Sequence, residues 1–200
     1  MFAEGIARWL LVLHTALAVA AVAAATHLVV WMRPFLRGTF VRRVAVRRFG
    51  IIAAALYLAT FTVGNLVYPT YKVRVKAEYL QNPAAVADEA GARIRQREIV
   101  AARYRGEEPA LPSDAAIDAA TAGLPRATDK MARWFDAKEH WVAMGLVLSL
   151  GCMVLLVAWD PRRDGGAPAP YAFLLALGAA AALWTGAIIG VVTASWRAIG

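Results

Sequence analysis

Residues 141–159 read WVAMGLVLSLGCMVLLVAW, nineteen residues with no formal charge and a tryptophan at each end. A helix needs about 20 mostly apolar residues to cross a bilayer. The segment before this run, Asp136-Ala137-Lys138-Glu139-His140, is as polar as the run is apolar, so the edge of the span is sharp. Three further stretches meet the same test: Leu10–Met32 (23 residues), Ile51–Tyr68 (18) and Tyr171–Ser195 (25), each uncharged. Buried helices of water-soluble proteins rarely stay uncharged that long. The sequence therefore predicts an all-α membrane protein, a four-transmembrane-helix bundle with a small helical cap outside the membrane.

Composition agrees. The chain has 200 residues, 60% of them hydrophobic and 18% charged, with mean hydropathy +0.51. Soluble domains are about 25% charged, so a single-core soluble enzyme and a disordered chain are both excluded. The only cysteine, Cys152, excludes an internal disulfide, a CxxC redox pair and a c-type haem attachment. Lying inside the third span, its thiol is expected to be inert. The first span has the outline of a secretory leader, with Ala23-Ala24-Ala25 as a small-residue site. Its apolar run continues through Val29, Val30 and Trp31, and Glu4 spoils a basic leader, so it is read as an uncleaved helix. Trp9, Trp31, Trp141, Trp159, Tyr171 and Trp196 fall at span ends, where aromatic rings favour the headgroup level.

Charge sets the expected orientation. Loop 33–48 carries Arg33, Arg37, Arg42, Arg43, Arg47 and Arg48 and no acid. Short loops so biased stay cytoplasmic. Loop 160–170 balances Arg162 and Arg163 against Asp160 and Asp164, and four spans put it on the same side. The long segment 70–138 has 12 basic and 10 acidic residues and falls outside, with both termini. The expected location is a bacterial inner membrane, with residues 70–138 periplasmic. The chain thus divides into 1–69 (spans one and two with the basic loop), 70–138 (external cap) and 139–200 (spans three and four). The arginine loop reads as a topology signal and a contact for anionic lipid, not a nucleic-acid patch.

Within the cap, Pro69 is expected to end the second span. Alternation of Lys72, Arg74 and Lys76 with Val73 and Val75 suggests a strand. Basic residues beside a membrane also snorkel from helices, and a helical or extended interfacial stretch is favoured. Pro83 suits the first position of a helix reaching Arg105 and stopped by Gly106. Ser113 or Asp114 caps a short helix to Thr121. From Pro125 to Ala158 no breaker intervenes, so one long helix is expected. Gly186 and Gly190 form a GxxxG pair, and Gly145 and Ser149 a small-xxx-small pair, both suited to close helix packing.

Ionisable groups at membrane depth carry a functional expectation. His14 and His27, thirteen residues apart, differ by about 140° in heading, which gives no support to two stacked haems. His14 and His140 both fall at the outer ends of their helices and could hold one haem b. Asp136, Glu139 and His140, at spacings of three and four, share a helix side and could ligate a divalent metal. Arg133 and Lys138 lie beside them and would make the same face an ordinary salt-bridged surface. Asn65 and Tyr68, with Tyr57 and Thr62, are placed near the same level. The expected site is one polar pocket of His14, Asn65, Tyr68, Asp136, Glu139 and His140. No nucleophile elbow, P-loop or Rossmann fingerprint occurs. The leading functional expectation is a non-enzymatic accessory or structural subunit of a membrane complex. The alternatives are a haem- or metal-binding electron-transfer protein and a small transporter or proton pathway. Expected partners are the lipid bilayer and membrane proteins, including further copies of the chain, and no nucleic acid.

Overall fold

The computed structural model describes the backbone over residues 4–199 and side chains over 5–193. The described residues are 88% helical and contain no strand. Trp196, an expected span marker, lies outside the described side chains. Four helices are long and apolar enough to cross a membrane, so the protein is an all-α, four-helix membrane bundle. The chain forms two compact units, residues 1–68 with 137–190 and residues 69–136 with 191–200.

The first unit holds the four spans. They lie on α1 (Glu4–Met32), α2 (Arg43–Tyr71), α5 (Leu124–Ala158) and α7 (Ala169–Ile199). Lipid tails are as apolar as leucine, so these helices gain little from hiding leucines from lipid. They associate by close approach. Many of the buried positions are accordingly small: Ala21, Ala24 and Ala25 on α1, Ala53 and Ala54 on α2, and Ala172, Ala176, Ala179, Ala180 and Ala182 on α7. Glycines take this furthest. A methyl group on Gly186 would meet Val142 at 2.8 Å, one on Gly178 would meet Leu148 at 2.8 Å, and one on Gly50 would meet Leu156 at 2.7 Å. The Gly145 and Gly186 faces are thus used inside the chain, a point the sequence leaves open. Large side chains such as Val19, Val147, Val154 and Val191 face outward, as lipid-facing positions should.

One end of this bundle is closed by the two short loops. After α1, Pro34 opens a single 3-10 turn, Arg33–Arg37. Gly38 ends it at φ 73°, a conformation that costs glycine nothing, and its N–H bonds Phe35 O at 3.0 Å. Phe35, Phe40 and Trp159 then meet edge to face with centroids 5.3–5.9 Å apart. Trp159 Nε1 donates to Gly165 O at 2.8 Å, and Arg43 pairs with Asp160. Trp159 is only 8% exposed. It is therefore a core residue of the loop end and not a headgroup marker, because its N–H finds a backbone acceptor within the fold. One-turn α6 (Pro161–Asp164) completes the corner, capped by the Asp160 carboxylate on Arg162 N.

The second unit contains α3 (Pro83–Arg105), α4 (Asp114–Thr121) and the first turns of α5. Asn82 caps α3 by accepting from Ala85 N, Pro83 occupies its first turn, and Gly106 closes it at φ 69°. Ser113 Oγ caps α4 by accepting from Ala116 N at 3.3 Å. Ile117 of α4 packs on Gly91 of α3, where a methyl group would come within 2.9 Å, and Arg95 pairs with Asp114 at 2.8 Å.

One expectation fails here. Pro69 does not end the second span: it lies inside α2, and the helix runs on into a nine-residue π-helical segment, Lys72–Leu80. Proline removes one donor, and a local π adjustment lets neighbouring carbonyls find other partners. The valine–cation alternation of residues 72–76 makes no strand, and the segment is helical, one of the two forms favoured from its sequence. A strand needs a partner for its backbone groups, and no other described segment supplies one. The π-segment satisfies its groups internally, with Gln81 N bonded to Lys76 O at 2.9 Å. It is held by Lys76, whose ammonium donates to both oxygens of Asp136 at 2.6 and 2.7 Å. Tyr71 stacks on Phe135 beside it, centroids 3.8 Å apart and planes 18° from parallel.

Candidate functional site

The site is best described from His14 outward. On α1, eighteen residues before Met32, His14 stands about 27 Å of helix rise from the loop end. Its Nδ1 lies 3.1 Å from the carbonyl oxygen of Thr60 on α2. A carbonyl only accepts, so Nδ1 carries a proton, and in the neutral ring Nε2 then keeps the lone pair. Thr60 is buried, and its own hydroxyl donates to Leu56 O at 2.8 Å. The imidazole comes this close because the next turn of α2 presents Gly64. A methyl group there would sit 2.9 Å from His14 Cε1. His14 and Gly64 thus fit as ring and notch.

Lys138 of α5 is within electrostatic reach of His14, and its Nζ passes 3.3 Å from where a methyl group on Gly190 of α7 would lie. Glu139 Oε1 is buried and Glu139 acts electrostatically on Lys138. Each of the four spanning helices therefore contributes to one polar level: His14 from α1, Thr60 and Gly64 from α2, Lys138 from α5, and Gly190 from α7. Sequence reading assigned Lys138 to a salt-bridged surface and gave Gly64 and Thr60 no role. The signal for Gly64 is its lack of a side chain, which has no meaning until the residue facing it is known.

Other sequence candidates are placed differently. Asn65 is exposed and its amide donates to Phe61 O of its own helix at 3.0 Å. Thr62 likewise bonds back to Leu58 O at 2.9 Å. Tyr57 is 1% exposed and donates to Val142 O at 3.0 Å, tying α2 to α5. Tyr68 is half-buried and His140 is exposed. Asp136 belongs to the second unit, where both its oxygens are taken by Lys76. Among the described residues, no three His, Cys, Asp or Glu side chains are grouped so as to hold a metal ion. His27, which sequence reading leaves without a ligand partner, meets Trp31 edge to face with ring centroids 5.7 Å apart and approaches Phe49 at 6.2 Å. Cys152 is buried, with its thiol 3.4 Å from Ala172 O.

The arrangement defines a multi-pass membrane protein whose polar level is built from side-chain-to-backbone bonds and one lysine. No family model matches the chain, and no curated protein or solved structure shows significant similarity to it.

Proposed function

We propose that this protein is a non-enzymatic accessory or structural subunit of a membrane complex, and that its extramembrane helices meet the partner protein. One observation supports this above the others. Helix α3 carries Asp88, Glu89, Arg93, Arg95, Arg97 and Glu98, too many charges for lipid. At its end Val100 and Tyr104, one turn apart, are exposed, Tyr104 to 89%, and Leu111 follows exposed beyond the Gly106 stop. Lipid can cover outward apolar side chains on the spans, and α3 is not one of the helices apolar enough to span. Exposed aromatic and aliphatic groups ringed by arginine and glutamate suit a protein contact. Solubilisation in mild detergents, followed by native gel and mass spectrometry, tests the reading. A stoichiometric protein partner supports it, and a 21.5 kDa monomer in every detergent opposes it.

An orientation is proposed with it. Six arginines without an acid in loop 33–48 support a cytoplasmic loop end. Residues 70–138 and both termini then face the periplasm of a bacterial inner membrane. Reporter fusions after Arg42 and after Glu107 test this, and a cytoplasmic signal from the Glu107 fusion inverts it.

A second reading, one b-type haem, draws on a single feature. The His14 bond to Thr60 leaves Nε2 as the lone-pair nitrogen, the tautomer that imidazole ligands use. Colour tests it: a purified protein without a Soret band ends this reading.

A further inference from the structure

The loop end of the four-helix unit carries a feature that the accessory role does not use. Where the first two turns of α2 pass the corner between α5 and α6, a groove of about 210 Å³ opens. Arg43, Arg47 and Arg163 line its polar side, and Val44 and Val157 its apolar side. A second hollow adjoins it, sharing Arg43, Val44 and Pro161 and adding Arg162. The guanidinium groups are not equivalent. Arg43 is paired with Asp160 and Arg163 with Asp164. Arg47 makes no side-chain hydrogen bond or ion pair with any described residue, and Arg162, though within electrostatic reach of Asp160, makes no side-chain hydrogen bond to any described residue.

The apolar side is as informative. Val44 and Val157 are about half exposed, and Val154 and Val147 continue the outward strip of α5 away from the groove. A ligand seated here meets cations at one end and a hydrocarbon-facing strip at the other. Guanidinium forks match phosphate oxygens in a planar, bidentate way. Free phosphate would answer the arginines but leave the valines uncovered. We infer that this groove and the hollow beside it together bind one anionic phospholipid, its phosphate between Arg47 of the groove and Arg162 of the hollow and an acyl chain along Val44, Val157 and Val154.

The protein has six arginines in loop 33–48, so the test must separate a site from diffuse charge. The full chain is reconstituted in nanodiscs of phosphatidylcholine with small amounts of phosphatidylglycerol, and lipid retention is read by native mass spectrometry. Each interfacial arginine contributes roughly fivefold to anionic-lipid binding, so Arg47→Gln with Arg162→Gln should weaken retention about thirtyfold. Arg43 and Asp160 are kept in this variant, and thermal stability in pure phosphatidylcholine reports that it folds. The expected result is selective retention of one phosphatidylglycerol, lost in the double variant and unchanged in Arg33→Gln with Arg37→Gln. Equal retention of both lipids overturns the proposal, as does an equal loss in the two double variants, which marks diffuse charge. Inorganic phosphate that displaces the retained lipid one for one also overturns it, leaving a site for free anions.

Discussion

The Tyr57 hydroxyl donates to the carbonyl of Val142 at 3.0 Å, and in that position it rests on the face of Gly145, one turn further along α5. Ala182 of α7 closes on the same glycine. Three spans therefore meet at a residue with no side chain. A buried tyrosine needs a partner for its hydroxyl, and here the partner is available only because α5 has no Cβ in the way. Gly145→Ala is expected to destabilise the bundle by about 1–3 kcal/mol through overpacking. Tyr57→Phe is expected to cost about 1 kcal/mol through the lost hydrogen bond. Denaturation in mixed micelles checks both, and Gly145→Ala in the Tyr57→Ala background should recover part of its loss.

His14 and Gly64 make a second pair that can be tested as a pair. Gly64→Ala pushes a methyl group against the imidazole, and a loss of about 1–2 kcal/mol is expected. With His14→Ala the methyl group has room, so the same substitution should be close to neutral. A double-mutant cycle measures this coupling directly. Additive effects would show that the ring does not depend on the notch.

How far the sequence carried this fold depends on which physical signal each part uses. Charge-free runs mark the spans, because a charge in lipid is costly wherever the neighbouring helices lie. Gly106 and Ser113 mark helix ends in the cap, because capping is local. Pro69 misleads, because a proline's effect depends on whether its neighbours can re-satisfy the backbone. Trp159 misleads for a related reason. Its indole N–H can be met by water at an interface or by Gly165 O in a folded corner, and only the tertiary structure chooses. For the candidate site, depth predicts His14 and the start of the third span at one level, but cannot say which way Asn65 and His140 turn. Side-chain heading at a helix end changes by about 100° per residue, so a small shift in registration exposes a residue. Thr60, Gly64 and Lys138 were not legible as His14's surroundings, since that requires knowing which helices are neighbours.

The loop end should respond to acid. The backbone N–H of Arg162, then the Arg43 guanidinium, hold the Asp160 carboxyl below its ordinary value of 3.8. A carboxylate whose pKa is depressed by folding stabilises the native state fully above that ordinary value. The contribution is lost as pH falls from about 4 through the lower, folded-state value. Asp164, lowered mainly by its bond from Arg163, adds in the same direction. Both groups are in contact with water, so the effect is small. Thermal melts between about pH 6 and pH 2 should show a stability loss on the acid side that is reduced in Asp160→Asn. An identical acid profile in wild type and variant would remove Asp160 from the account.

The most direct test of the proposed role is a photoreactive phenylalanine analogue in place of Tyr104, activated in intact membranes. Tyr104 is exposed on a helix too charged for lipid, so its neighbour should be protein. A discrete adduct heavier than the 21.5 kDa chain is expected, containing a membrane-complex protein that also co-purifies in mild detergent. The adduct should disappear with Val100→Ser and Leu111→Ser. The same probe at outward-facing Val147 of α5 should give lipid adducts. Only lipid adducts, or only the unmodified 21.5 kDa chain, from the Tyr104 position would contradict the account.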